Sequence, residues 1–197
     1  MELSESADRI REHDITLRSG RITLRPMTEG DWNELYRWDN DLEVSFYDGD
    51  HDPYDMETIH SIYRDVSRNA FNFIIEIEGR PIGWCWLQRM NLERVLKHFP
   101  GKDLRRIDIG IGEKEFWGQG IGTEIIHILT GFGFEHEHAD AIFGCNILDY
   151  NERSRRAFER NGYAFFQQTP EEPGHHAKFI YDLMITREEY ERSKVSG

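Results

Sequence analysis

Apolar positions along the chain follow two periods that alternate with each other. Over residues 105–112, Ile107, Ile109 and Ile111 fall on one side while Arg106, Asp108 and Gly110 fall on the other, the period of a half-buried strand. Two near-identical runs, 15–18 and 22–25, flank Ser19-Gly20-Arg21 and predict a hairpin. Further strands are expected over 71–77 and 82–87 around the turn 78–81, and over 141–147, 163–168 and 178–184. Helical spacing appears in Trp32, Leu35, Tyr36 and Trp38 behind the capping box Thr28-Glu-Gly-Asp31, and in Met56, Ile59, Ile62, Tyr63 and Val66 behind Asp55. It returns in Ile125, Ile128, Leu129 and Phe132, in a helix from about Asn151 that Gly162 ends, and in a terminal helix begun by Thr186-Arg-Glu-Glu189. Leu92, Val95, Leu96 and Phe99 predict a short lid helix stopped by Pro100-Gly101, and 39–53 reads as a loop. Strands and helices interleave without a linker, which predicts one α/β domain over 14–197 behind a polar, flexible segment 1–13.

Composition narrows the function classes. In 197 residues, 38% are hydrophobic and 13% aromatic, enough apolar surface for a packed interior. Against 24 basic residues stand 37 acidic ones, and a net charge of −13 disfavours nonspecific nucleic-acid binding and favours cationic partners. No apolar run approaches the roughly 20 residues that span a bilayer, and the start lacks a basic-then-apolar leader, so a cytoplasmic protein is expected. Cys85 and Cys145 each lie in a predicted strand and read as reduced core thiols without a nearby base, with neither a disulfide nor a metal site implied. His136 and His138, two residues apart, do not share a helical face.

Two segments carry chemistry. Trp117-Gly118-Gln119-Gly120-Ile121-Gly122-Thr123 sets three glycines between a strand and a helix, where open amides and the helix dipole make an anion cradle. Tight strand–helix packing would also explain the glycines, and no Gly-Lys-Ser/Thr follows to make a nucleotide loop. The second segment, 151–163, has Asn151 and Ser154 in the first turn of a helix and Arg153, Arg155 and Arg156 along it, which a solvated amphipathic helix would equally explain.

In this order and spacing the two segments resemble the acetyl-coenzyme A site of the Gcn5-related N-acetyltransferase superfamily. The resemblance implies a mixed, mostly antiparallel twisted sheet flanked by helices and an acetyl-CoA-dependent transfer to an amine, with no metal. It assigns Ile109, Gly110 and Ile111 of a bulged strand to the pantetheine arm, Trp117 to Thr123 to pyrophosphate, and Asn151, Ser154 and Phe158 to the thiol end. Trp117 stands where many members have Gln or Arg, and Phe158 where many have the tyrosine that protonates the departing thiolate; Tyr150, Tyr163 or water replaces the latter, or the thiolate leaves without a dedicated acid. A narrower resemblance, carried by 22–31, 35–38, 79–83 and Ile107-Asp108, is to the aminoglycoside 6′-N-acetyltransferases, with siderophore-pathway and protein-amine acetyltransferases sharing part of the pattern.

That resemblance makes Asp108 the expected general base; the alternative for Asp108 is an ion pair with Arg106 or another arginine. A polycationic amine calls for carboxylates beside aromatic faces, and Phe46, Tyr47, Asp48, Asp50 and Asp52 fit, with Asp149, Glu171 and Glu172 as further candidates. Solvated acidic loops would look the same. The expected partner is a cationic small molecule, with no nucleic acid or membrane, and the protein acts as a monomer or homodimer. An acyl-CoA sensor without turnover is the competing class.

Overall fold

The structure is a computed structural model that describes residues 9–47, 49, 52–171 and 173–195. β1 (Leu17–Ser19) and β2 (Ile22–Pro26) form the expected hairpin, with Gly20 left-handed at its turn. Asp31 accepts the Thr28 N–H at 2.8 Å and a two-pronged bond from Arg25, fixing the entry to α1 (Trp32–Asp39). The expected loop after it contains one helical turn, α2 (Leu42–Ser45), because Asp41 accepts the Glu43 and Val44 amides. Asp55 caps α3 (Met56–Ser67) as expected.

β3 (Ala70–Ile77) and β4 (Arg80–Arg89) follow, then α4 (Glu93–Leu96) and β5 (Leu104–Ile111). α5 (Ile121–Glu135), β6 (Ala141–Leu148), α6 (Glu152–Glu159), β7 (Ala164–Pro170), β8 (Phe179–Thr186) and α7 (Arg187–Val195) complete the chain. One eight-stranded sheet runs in the order β1-β2-β3-β4-β5-β6-β8-β7. β5 and β6 are parallel, whereas β1/β2, β2/β3, β6/β8 and β7/β8 are antiparallel. This is the mixed α/β architecture that the sequence predicts.

Two compact units divide the chain, Met1–Trp86 with Ile109–Trp117 and Leu87–Asp108 with Gly118–Gly197. In the first, Ile10, Met27, Leu35, Trp38, Ile59, Tyr63, Ala70 and Ile74 pack with a stacked pair of indoles, Trp84 and Trp86, whose centroids are 4.5 Å apart. Ile10 is buried, the Arg11 N–H bonds Ser67 Oγ at 2.9 Å, and His13 Nε2 donates to the Asn72 carbonyl at 3.0 Å. The described end of the segment expected to be flexible is thus packed; residues 1–8 lie outside the described residues.

In the second unit, Met90, Val95, Leu104, Ala141, Phe143 and Cys145 form the core, with Leu92, Leu96 and Phe99 against it. α4 is therefore part of that core and not a lid: the same apolar spacing that predicts a helix buries Val95 completely. β5 also departs from the half-buried expectation, since Arg106 on its polar side and Arg105 on the side of the isoleucines are both buried and paired with carboxylates. Among the described residues no helix is long and apolar enough to cross a membrane.

Candidate functional site

In the first unit, the end of β5 is laid out by glycines that let tryptophans close on the backbone. A Cβ at Gly110 would lie 2.7 Å from the Trp84 ring, and one at Gly112 would run into Trp38. Trp38 donates its indole N–H to Glu113 at 3.0 Å, and Arg37 and Arg80 pair with the same carboxylate. Burial would raise the Glu113 pKa, but these three donors outweigh it and hold the group below the ordinary range. Trp117 donates to the Ile111 carbonyl at 2.7 Å and meets Tyr47 edge-on at 5.9 Å, with Phe46 edge-on to Tyr47 at 5.2 Å. Ile109 and Ile111 are half-buried.

Much of the acidity around 39–55 has internal work. Asp39 accepts from the Tyr63 hydroxyl and the Trp84 indole, and Asp55 caps α3. Asp41 and Glu43 pair with Lys114 at 2.9 and 3.2 Å. Asp52 is exposed, while Asp48 and Asp50, two of the expected acceptor carboxylates, lie outside the described residues, as does Glu172.

In the second unit, Gly118 and Gly120 have φ of 74° and 80°, and a Cβ on either would meet no described heavy atom within 4 Å. Gly120 is the N-cap of the 15-residue α5, no side chain caps it, and Gly118, Gln119 and Gly120 are exposed. Ile121 is buried, Gly122 and Thr123 are half-buried, and the Thr123 carbonyl accepts from Asn161 at 2.9 Å. Asn151 caps α6 by accepting the Ser154 N–H at 3.1 Å, so its oxygen serves the helix itself; Ser154 is half-buried. Phe158 is a core side chain: its ring lies where a Gly144 Cβ would be, 2.6 Å from Cζ, and is edge-on to Tyr163.

Tyr163 is buried with its hydroxyl on Thr130 Oγ1 at 2.7 Å, and burial pushes its pKa up, so it is a packing group and not a proton donor to substrate. Tyr150 sits half-buried in the turn between β6 and α6. In that turn Asp149 accepts the Lys178 N–H at 3.2 Å, and Glu171 faces His175 at 3.6 Å in the β7–β8 loop. Both carboxylates thus have local partners.

Asp108 follows directly on the last rung of the β5–β6 ladder, which runs from Leu104↔Ala141 to Ile107↔Gly144. A register shift lies in β6, between Gly144 and Ile147, with Asn146 left-handed at φ 56°. The Asp108 carboxylate takes a fork from Arg106, Nε to Oδ2 at 2.8 Å and Nη2 to Oδ1. Sequence reading had offered general base and ion-pair partner as alternatives, and the pair is present. Asp182, which the sequence does not single out, lies fully buried beyond Arg106 and holds Arg94 at 2.9 Å. Its signal is faint because one aspartate in an apolar strand looks like any outward-facing residue.

The model for the acetyltransferase (GNAT) domain matches residues 21–164, nearly three quarters of the chain. The chain belongs to this family. Solved GNAT structures share the fold at low identity. The aminoglycoside acetyltransferase AAC(6')-Ib in complex with coenzyme A and kanamycin superimposes with a TM-score of 0.68 at 21% identity, over 88% of this chain and 99% of that one. The spermidine N-acetyltransferase from Vibrio cholerae in complex with CoA and spermine gives 0.71 at 17%, over 87% and 99%. A GNAT acetyltransferase from Bacillus anthracis gives 0.70 at 17%, over 88% and 99%.

This GNAT protein is accordingly an acetyl-CoA-dependent N-acetyltransferase. Its glycine loop combines two left-handed glycines, with no described heavy atom within 4 Å of a built Cβ, and a helix start that no side chain caps, features compatible with an anion at the helix N-terminus. Cys85 and Cys145 are buried thiols whose pKa burial drives well up, so neither supplies a thiolate. Among the described residues no three His, Cys, Asp or Glu side chains gather as a metal would need.

Proposed function

We propose that this GNAT enzyme acetylates a primary amine of a polycationic small molecule, an aminoglycoside at its 6′-amine, with Asp108 accepting the amine proton. Acetyl-CoA, when bound, supplies an activated acyl group as its thioester. Trp117 to Thr123 hold pyrophosphate through backbone amides, Ile109 to Ile111 offer main-chain partners to the pantetheine arm, and Ser154 borders its end. Asn151 acts there as the residue that sets the start of α6, and Phe158 as packing beneath it. With Tyr163 enclosed, Tyr150 or solvent returns the proton to the departing thiolate.

Asp108 is the observation that carries this reading: an anionic carboxylate, its side chain 18% exposed, at the first position beyond the β5–β6 ladder and directly ahead of Ile109–Ile111. A carboxylate there attracts the ammonium; once that ammonium has given one proton to solvent, the neutral amine attacks the thioester carbonyl and the carboxylate takes the proton that its nitrogen then loses. The net charge of −13 and the edge-on pair of aromatic rings Phe46 and Tyr47 favour an acceptor with several positive charges over a monoamine.

Release of coenzyme A thiol at saturating acetyl-CoA and fixed ionic strength tests it across kanamycin-type aminoglycosides, spermidine and spermine, and lysine derivatives. The expected order places the aminoglycosides first in kcat/KM. Polyamines first would keep the polycation and change the acceptor, whereas lysine derivatives or protein amines first would overturn the polycation reading. Asp108→Asn is expected to lower kcat by about 100-fold or more with little change in acetyl-CoA affinity.

A further inference from the structure

We propose that Arg106 is a positioning residue for the acetyl transfer, acting by fixing the plane of the Asp108 carboxylate. The inference rests on the role given to Asp108 above, and the geometry supplies the rest. A carboxylate has about four acceptor positions, and its terminal torsion is broad and nearly two-fold, so an aspartate on a strand samples many orientations. The Arg106 fork takes one position on each Asp108 oxygen and removes that freedom. The plane of the carboxylate is then set, and with it the direction in which an approaching amine nitrogen is met.

Arg106 can do this because it is itself held. Its side chain is only 10% exposed, its third nitrogen, Nη1, reaches Asn91 Oδ1 at 3.4 Å, and its backbone is paired to Phe143 of β6. The groups whose fields it feels are Asp108 on its own strand, the Cys145 thiol on β6 and Asp182 on β8. Burial alone would lower its pKa, but the charge and hydrogen bonds of Asp108, with Asp182 adding to them, outweigh this and keep the guanidinium charged. Asp182 is occupied in turn by Arg94, by Gln167 at 2.9 Å and by the Asn146 N–H at 3.0 Å, so it does not compete for the fork. Two ion pairs, Asp108 with Arg106 and Asp182 with Arg94, thus share this region of charge, and Asp108 is the carboxylate that the proposed reaction uses.

A packing role and a positioning role differ in one measurable way. If Arg106 acts through Asp108, its contribution to turnover must vanish once Asp108 cannot accept a proton. Arg106→Lys keeps a cation but loses the planar fork, and kcat is expected to fall about tenfold or more while acceptor KM and the calorimetric Kd for coenzyme A stay within about twofold. In the Asp108→Asn background, Arg106→Met is expected to leave kcat where Asp108→Asn alone puts it. Arg106→Met by itself strands a part-buried carboxylate and can unfold the protein, so Arg106→Lys and the double variant, each checked by thermal unfolding, carry the test. Wild-type kcat in a folded Arg106→Lys, or an equal further loss on adding Arg106→Met to Asp108→Asn, overturns the proposal and leaves the role of Asp108 standing. Undiminished kcat in Asp108→Asn removes that role and this inference with it.

Discussion

Two glycine-to-alanine changes, Gly120→Ala and Gly112→Ala, separate the binding function of the glycine loop from the packing function of the glycines before it. At Gly120 the backbone has φ 80° and a Cβ would meet no described heavy atom within 4 Å, so the cost is conformational only. A left-handed L-residue costs about 1–2 kcal/mol, which in a chain of this size lowers Tm by roughly 2–8 °C. At Gly112 the backbone needs no positive φ, but the added methyl runs into the indole of Trp38, a fully buried side chain with its N–H fixed on Glu113. That indole cannot swing aside without breaking its bond, and overpacking of this kind costs about 3 kcal/mol, or roughly 6–12 °C. Isothermal calorimetry with coenzyme A, run well below both transitions, gives the decisive contrast. Gly120→Ala is expected to weaken binding about tenfold or more, because the methyl stands where the α5 amides meet pyrophosphate. Gly112→Ala is expected to lose more stability and less affinity. Unaltered coenzyme A affinity in Gly120→Ala, with the Tm drop present, would refute the cradle and return the glycines to a purely conformational role.

Two further outcomes are expected. Because burial lowers the His13 pKa, and because its Nδ1 must stay unprotonated to accept the Ile15 N–H, the folded chain binds this proton more weakly than the unfolded one; stability is full above about pH 6.5 and is lost as pH falls from there toward the folded value. Thermal unfolding between pH 5 and 8 checks it, and His13→Gln should flatten that segment of the profile. Phe158→Tyr, which adds the hydroxyl that the family resemblance implies at this position, is expected to leave kcat unimproved and to lower stability by about 1–3 kcal/mol, since Cζ faces Gly144 inside the core; a rate gain would show that the ring tip reaches the thiol end.

The strands and helices were legible because their signals are local. Thr28 and Asp31, Asp55, Thr186 and Glu189 bond the amides that their spacing predicts, and Gly162 is left-handed where the helix must end. The glycine loop was legible for the same reason: its requirement is written in its own backbone. What could not be read was which polar side chains turn inward. Arg106 and Asp182 occupy strand positions that period-two counting gives to solvent, and only their ion-pair partners, Asp108 two residues along β5 and Arg94 of α4, make burial tolerable. Nor could apolar spacing tell a lid from a core element, since Leu92, Val95 and Phe99 would line one face of either.

Trp117 shows how a departure from the family pattern can be absorbed. A Gln or Arg at this position could reach a phosphate with its side chain, and an indole has only one N–H to offer. That N–H is spent on the Ile111 carbonyl, which ties the end of β5 to the start of the glycine loop across six residues. The ring that results stands edge-on to Tyr47 and braces the backbone instead of reaching out with a side-chain donor. In the proposed site phosphate recognition would then fall to main-chain amides and the α5 dipole, whose attraction for an anion is weaker and shorter in range than that of a guanidinium. In a chain of charge −13 the proposed division has a physical consequence: directed hydrogen bonds at a local site would hold the cofactor, and the acidic surface would stay available to a cationic acceptor.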